Sequence, residues 1–127
     1  MNLDKMQDRV AIWMGAVFPR AVIKDERERA YRFCEESLEL VQAMGVPKGE
    51  AAAILDYVYA RDVGEAAEEA GDVLITLSAL ANTKRIDLTK AFLLRQNRNW
   101  KIKDQIRAKH DSKPIGLRTP LPGEVDE

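Results

Sequence analysis

Residues 62–81 read DVGEAAEEAGDVLITLSALA, and this stretch decides the fold. Ala66, Ala67, Ala70, Val73, Leu74, Leu77, Leu80 and Ala81 recur at the three- and four-residue spacing of one helical face, with no proline inside the run. Asp62 stands where an N-cap would, and Glu65 can complete a capping box. The apolar succession predicts a substantially buried helix. Its acids, Glu65, Glu68, Glu69 and Asp72, crowd the first turns beside Ala66, Ala70, Gly71 and Val73, small neighbours that a purely solvated charge run does not need.

Outward from that helix the chain repeats the pattern. Residues 25–45, DERERAYRFCEESLELVQAMG, predict a helix from about Glu26 to Met44, with Asp25 as its cap, Glu28 completing the box and Gly45 releasing its end. Ala30, Phe33, Cys34, Leu38 and Val41 form its expected buried stripe. Leu3, Met6, Val10, Trp13 and Val17 place a first helix over Leu3 to Phe18, stopped by Pro19, and Pro47 opens a shorter one to about Tyr59. Asp87 caps a last long helix expected to run to about Lys109. The pattern is all-α: a compact helical bundle with one domain over residues 1–110. From Asp111 three prolines and two glycines predict an irregular tail, 111–127.

Composition narrows the function. A chain of 127 residues that is 46% hydrophobic supports one modest core rather than disorder. Its 20 basic and 21 acidic residues nearly cancel, so the chain as a whole is not a basic nucleic-acid binder. Cys34 is its only cysteine, and neither a secretory leader nor an 18-residue apolar span is evident, which points to a soluble protein of the reducing cytoplasm, without a membrane partner.

The acids carry the chemistry. Glu36 and Glu39 are three positions apart, as are Glu69 and Asp72, so each pair shares a helical face. Two such helices facing one another offer four carboxylates, a hard-oxygen set suited to Mg²⁺ or Mn²⁺ and not to a structural zinc site, for which Cys and His ligands are lacking. Bound cations would offset the repulsion among the acids and coordinate a polyphosphate. Solvated acids joined to nearby bases by ordinary surface salt bridges are the competing reading of the same residues.

EESLE at 35–39 followed by EAGD at 69–72 resembles the EExxE and ExxD signature of the MazG-like all-α nucleotide pyrophosphohydrolases. RFCEESLELVQAMG, DYVYARDVGEAAEEAGDVLITLSALA and the terminal WKIKDQIRAK are similar to stretches of phage and prophage members, so the resemblance spans roughly residues 8–110. It implies metal-dependent cleavage of a nucleoside triphosphate, a dNTP foremost, between the α and β phosphates, giving a nucleoside monophosphate and pyrophosphate. It maps Glu36, Glu39, Glu69 and Asp72 to the metal-binding acids, with Glu35 as a further acid near the attacking water, and it implies a homodimer or homotetramer. Control of nucleotide composition or removal of a noncanonical nucleotide is the implied biological use.

Carboxylates alone would repel a triphosphate, so cations must stand near the phosphates. Lys84, Arg95, Arg98, Lys101 and Lys103 are the candidates, Arg98 and Lys101 foremost because they adjoin Trp100, and Asn97 could bond a base or sugar. Trp13 and Trp100 suit either base stacking or helix packing. His110 is expected as a solvated helix-end residue and Cys34 as a small core residue. A second class remains open: a nucleic-acid-binding or structural helical module using Arg95, Arg98, Lys101, Lys103, Arg107 and Lys109 on a phosphate backbone. That class gives the paired acids nothing to do.

Overall fold

Local signals set most helix ends in the computed structural model, which describes residues 1–111. The elements are α1 Leu3–Val17, α2 Arg20–Ile23, α3 Glu26–Ala43, α4 Lys48–Tyr59, α5 Ala66–Lys84, α6 Leu88–Lys101 and α7 Lys103–Asp111. Among the described residues there is no strand, and no helix is long and apolar enough to cross a membrane. The fold is all-α. Of the tail expected over 111–127, Asp111 closes α7 and the remainder lies outside the described residues.

The caps explain the boundaries. Asn2 accepts from the Lys5 N–H at 3.0 Å, Asp25 from the Glu28 N–H at 3.1 Å and Asp87 from the Lys90 N–H at 3.0 Å, each satisfying one orphan donor of a first turn. Gly45, at φ +85°, ends α3 with its N–H on the Gln42 carbonyl and the Val46 N–H on the Val41 carbonyl. Position 85 repeats the device without a glycine: Arg85 sits at φ 59°, and the Ile86 N–H reaches the Ala81 carbonyl at 2.8 Å. At the start of α5 the cap is Glu65, which accepts from the Glu68 N–H at 3.0 Å, and not Asp62 as the sequence suggests. Glu65 is extended at φ −97°, ψ 129°, so helical backbone starts only at Ala66.

The chain divides into two units. Among the described residues, the first comprises Met1–Phe33 and 92–111. Here Trp13, Met14 and Val17 on one face of α1 are buried, with Phe18, Ile23 and Ile106 packed around them. Burial of each large side chain contributes about 1.5–3 kcal/mol. Trp13 meets Phe18 edge-to-face at 6.0 Å between ring centroids, which settles Trp13 as a packing residue. His110, expected in solvent, is half-buried and packs edge-on to Phe18 at 5.2 Å, because the docking of α7 on α1 carries it there. Glu28 is also buried, its carboxylate 3.1 Å from Arg32 Nε and 3.9 Å from Arg29.

The single final helix expected to Lys109 is two, with Ile102 between them. Hydrogen bonding persists across the join, from Ile102 N–H to the Arg98 carbonyl and from Ile106 N–H to the Ile102 carbonyl. No glycine or proline marks this join. Its reward is tertiary: Ile106 reaches the core, and Arg107 donates through Nε to the Val17 carbonyl at 2.8 Å and through Nη2 to the Ala16 carbonyl at 2.6 Å. Those are orphan carbonyls of the last turn of α1.

The second unit, Cys34–Ala91, holds most of α3, all of α4 and α5, and the start of α6. Its helices overturn the expected burial. On α5, Ala66, Ala67, Ala70, Val73 and Leu74 are exposed, Leu77 and Leu80 are half-buried, and Ala81 is buried. Of the stripe expected on α3, Ala30, Phe33, Cys34 and Leu38 are exposed and Val41 is half-buried. On α4, Ile54, Leu55, Tyr57, Val58 and Tyr59 are all exposed. Periodicity marks a face that favours burial, but it does not supply the surface that covers it.

Candidate metal centre

Three carboxylates come together on α3. Glu35, Glu36 and Glu39 are exposed, and one ligand atom from each lies within 4.8 Å of the others. Helical geometry produces this directly: positions 35 and 39 are four apart and 36 and 39 three apart, so their side chains emerge on neighbouring rows of one face. Holding like charges so close opposes the helix by about 0.2–0.5 kcal/mol per pair. A divalent cation would reverse that sign.

The donor set suits a hard ion. Oxygens bound to one Mg²⁺ lie about 2.1 Å from it, so ligand atoms within 4.8 Å of one another require only small side-chain rotations to share it. Being exposed, the three acids leave coordination positions open to water or to a phosphate oxygen. No Cys or His joins them, which matches Mg²⁺ or Mn²⁺ chemistry rather than zinc.

Glu69 and Asp72 stand outside that cluster. Both are exposed on the opening turns of α5, in the same unit as Glu35, Glu36 and Glu39. The Glu69 side chain lies against Gly64: a Cβ at position 64 would collide with Oε1 and press on Cδ and Cγ of Glu69. The carbonyl of Asp72 accepts from the Thr76 hydroxyl at 2.9 Å, which leaves its carboxylate uninvolved in that bond.

The proposed phosphate contacts are spread along the chain. Lys84 is exposed in the last turn of α5, in the unit that carries the acids. Arg95, Asn97, Arg98 and Lys101 are exposed on α6, and Lys103, half-buried, opens α7; all five fall in the other unit. Trp100 is 38% exposed. Arg107 drops out of the basic set that a nucleic-acid backbone would use, because its guanidinium already holds two carbonyls of α1. Cys34, expected in a core, is exposed.

Sequence reasoning passed over Gly64, and it placed Arg107 in a basic row without its tie to α1. A glycine two residues before a helix is a common turn signal, and nothing in residue spacing links position 107 to positions 16 and 17. Comparison of the chain with protein-family models, with curated proteins and with solved structures finds no match.

Proposed function

We propose that this protein is a metal-dependent nucleoside triphosphate pyrophosphohydrolase of the MazG-like kind. Water and a nucleoside triphosphate, a dNTP foremost, would yield a nucleoside monophosphate and pyrophosphate. The observation that carries the reading is the meeting of Glu35, Glu36 and Glu39 within 4.8 Å on one exposed face. The resemblance of EESLE at 35–39 and EAGD at 69–72 to the family signature supplies the reaction.

In this reading Glu36 and Glu39 on α3 and Glu69 and Asp72 on α5 hold Mg²⁺, or Mn²⁺ in its place. Bound there, the cation would orient the triphosphate and lower the pKa of a coordinated water. Glu35, beside them, positions the attacking water and takes its proton as the new bond to the α phosphorus forms, with Glu36 sharing that task. The bond from the α phosphorus to the bridging oxygen breaks, and pyrophosphate leaves with the electron pair. Lys84, Arg95, Arg98, Lys101 and Lys103 are proposed to balance the phosphate charge, and Asn97 to bond the base or sugar. Because the triphosphate is common to all substrates, base selection falls to contacts away from the acids. The proposal includes assembly into a homodimer or homotetramer.

The deciding experiment incubates the purified protein with each nucleoside triphosphate in Mg²⁺ or Mn²⁺ and measures monophosphate and pyrophosphate directly. Their equimolar release, reduced by about 100-fold or more in a folded Glu36→Gln or Glu39→Gln variant, supports the assignment. Release of inorganic phosphate with a diphosphate product would place the cleavage elsewhere. A folded protein that turns over no canonical or damaged dNTP would remove the hydrolase reading.

A further inference from the structure

Glu28, Arg32, Glu35, Glu36 and Glu39 fall within an arc of about 100° on α3, so a buried ion pair and the carboxylate cluster share one stripe of one helix. The carboxylate of Glu28, its side chain 7% exposed, stands 3.1 Å from Nε of Arg32, whose side chain is 24% exposed. Arg32 precedes Glu35 by three positions and Glu36 by four, which puts their Cβ atoms about 5–6 Å from its own. Helical side chains lean toward the N-terminus, so the acids reach back over the turn that holds Arg32, while Arg32 reaches back to Glu28. The division between the two units falls inside α3, after Phe33, but the helix is unbroken from Glu26 to Ala43 and these spacings belong to it alone.

We infer that Arg32 is a further substrate-binding residue, its guanidinium donating to a phosphate oxygen of a triphosphate held at the carboxylate cluster; the assignment rests on the hydrolase reading above. Proximity is the first argument. A polyphosphate needs positive charge beside the metal. No helix spacing ties the cations named above to the acids of α3: Arg95, Arg98, Lys101 and Lys103 belong to the other unit, and Lys84 follows Asp72 by twelve positions, about 18 Å along α5. Arg32 is one turn away on the same face. Orientation is the second argument. A guanidinium engaged at Nε by a buried carboxylate has less conformational freedom to lose when it binds, and its planar fork matches phosphate oxygens. The third is a sign that an ordinary salt bridge would not produce. Arg32 and a cation bound to Glu35, Glu36 and Glu39 are like charges side by side, and a triphosphate lying against both turns that repulsion into a shared attraction. Arg32 therefore weakens the metal alone and strengthens the phosphate.

The test titrates the full chain with Mn²⁺ alone and then, in saturating Mn²⁺, with each canonical deoxynucleoside triphosphate carrying a methylene group in place of the α–β bridging oxygen, which binds without turnover. Arg32→Met should bind Mn²⁺ about 2- to 5-fold more tightly, because a neighbouring positive charge is gone, and the analogue about 10-fold or more weakly, the scale of a charge-assisted bond. Arg32→Lys keeps the charge without the fork, so it should bind Mn²⁺ like the wild type and the analogue about 3-fold or more weakly. Because Arg32→Met leaves the buried Glu28 to Arg29 at 3.9 Å, the double variant Glu28→Gln with Arg32→Met repeats the comparison without that carboxylate and should weaken the analogue to the same extent. Wild-type affinity for the analogue in a folded Arg32→Met or double variant would overturn the assignment. So would Mn²⁺ and analogue affinities that fall together, the mark of an arginine that only supports α3. A wild type that binds no Mn²⁺ would remove both the hydrolase reading and this contact, whereas a protein with the expected affinities that releases no pyrophosphate from the parent triphosphates would lose the reaction and keep Arg32 as a phosphate ligand.

Discussion

The carboxylate of Glu69 lies where the first atom of a side chain on residue 64 would stand. Glycine at 64 is thus the condition for the position of this acid, although its backbone is not in the left-handed region that only glycine favours. Glu69 is exposed, and the colliding atoms belong to the far part of a flexible side chain, so relief requires a rotamer change and not a shift of α5.

Gly64→Ala should therefore separate stability from metal binding. Loss of unfolded-state freedom favours alanine by about 0.4–1 kcal/mol where the backbone tolerates it, so urea unfolding should show an unchanged or slightly stabilised protein. If Glu69 holds the cation, titration with Mn²⁺ should show affinity lowered by about 10-fold, the scale for disturbing a group that orients a ligand. In a Glu69→Gln background the alanine should add nothing further. A Gly64→Ala protein that binds Mn²⁺ like the wild type, while Glu69→Gln weakens it, would show that the acid finds its place without the glycine.

Two helix ends with the same left-handed turn should respond with opposite signs. Gly45→Ala places a Cβ at φ +85° and should cost about 1 kcal/mol, whereas Arg85→Gly removes one at φ 59° and should gain a similar amount. No atom stands within 4 Å of a Cβ built at 45, so the cost there is conformational and not steric. Equal and opposite shifts in the urea midpoint at unchanged slope are the expected readout.

Arg107 ties α7 to α1 through the carbonyls of Ala16 and Val17, ninety residues away in sequence. Truncation to alanine leaves the part-buried Val17 carbonyl without this donor and hands the exposed Ala16 carbonyl to water, and should cost about 1–3 kcal/mol, nearly all of it from Val17. Lysine, with a point charge in place of the planar fork, should recover only part. Because Ile106 and His110 ride on the same helix, loss of the tie should also raise hydrogen exchange across α7 and alter the near-ultraviolet signal of Trp13. An Arg107→Ala protein with wild-type stability and α7 protection would deny the tie its structural weight.

Features with local causes are the ones legible in the sequence. Asp25, Gly45, Pro47 and Asp87 act within one helical turn, so residue type and spacing locate them. The grouping of Glu35, Glu36 and Glu39 is equally local, since the helix itself fixes it. Other features depend on what the chain meets. The join at Ile102 answers to contacts with α1, and the exposure of Val73 and Leu74 answers to the lack of a covering surface, neither of which periodicity encodes. The Glu69 side chain belongs to this second kind: its helix is legible, but its approach to Gly64 is a rotamer choice.

Glu39 should reverse its contribution to stability with the cation. Without metal it faces Glu35 four positions earlier and Glu36 three positions earlier, two like-charge pairs that each oppose α3 by about 0.2–0.5 kcal/mol. In chelator, Glu39→Gln removes both repulsions at nearly constant helix propensity and should be slightly more stable than the wild type. In Mn²⁺ at about 100 times its dissociation constant, a one-site wild type should gain about 2.7 kcal/mol by linkage, while the variant, short of a ligand, should gain much less. The order of stability then inverts between the two conditions. Unfolding curves taken at one fixed protein concentration, with chelator and with Mn²⁺, make the comparison, since assembly also shifts the apparent midpoint. A wild type indifferent to Mn²⁺, or a Glu39→Gln variant that gains as much as the wild type, would exclude this carboxylate as a ligand.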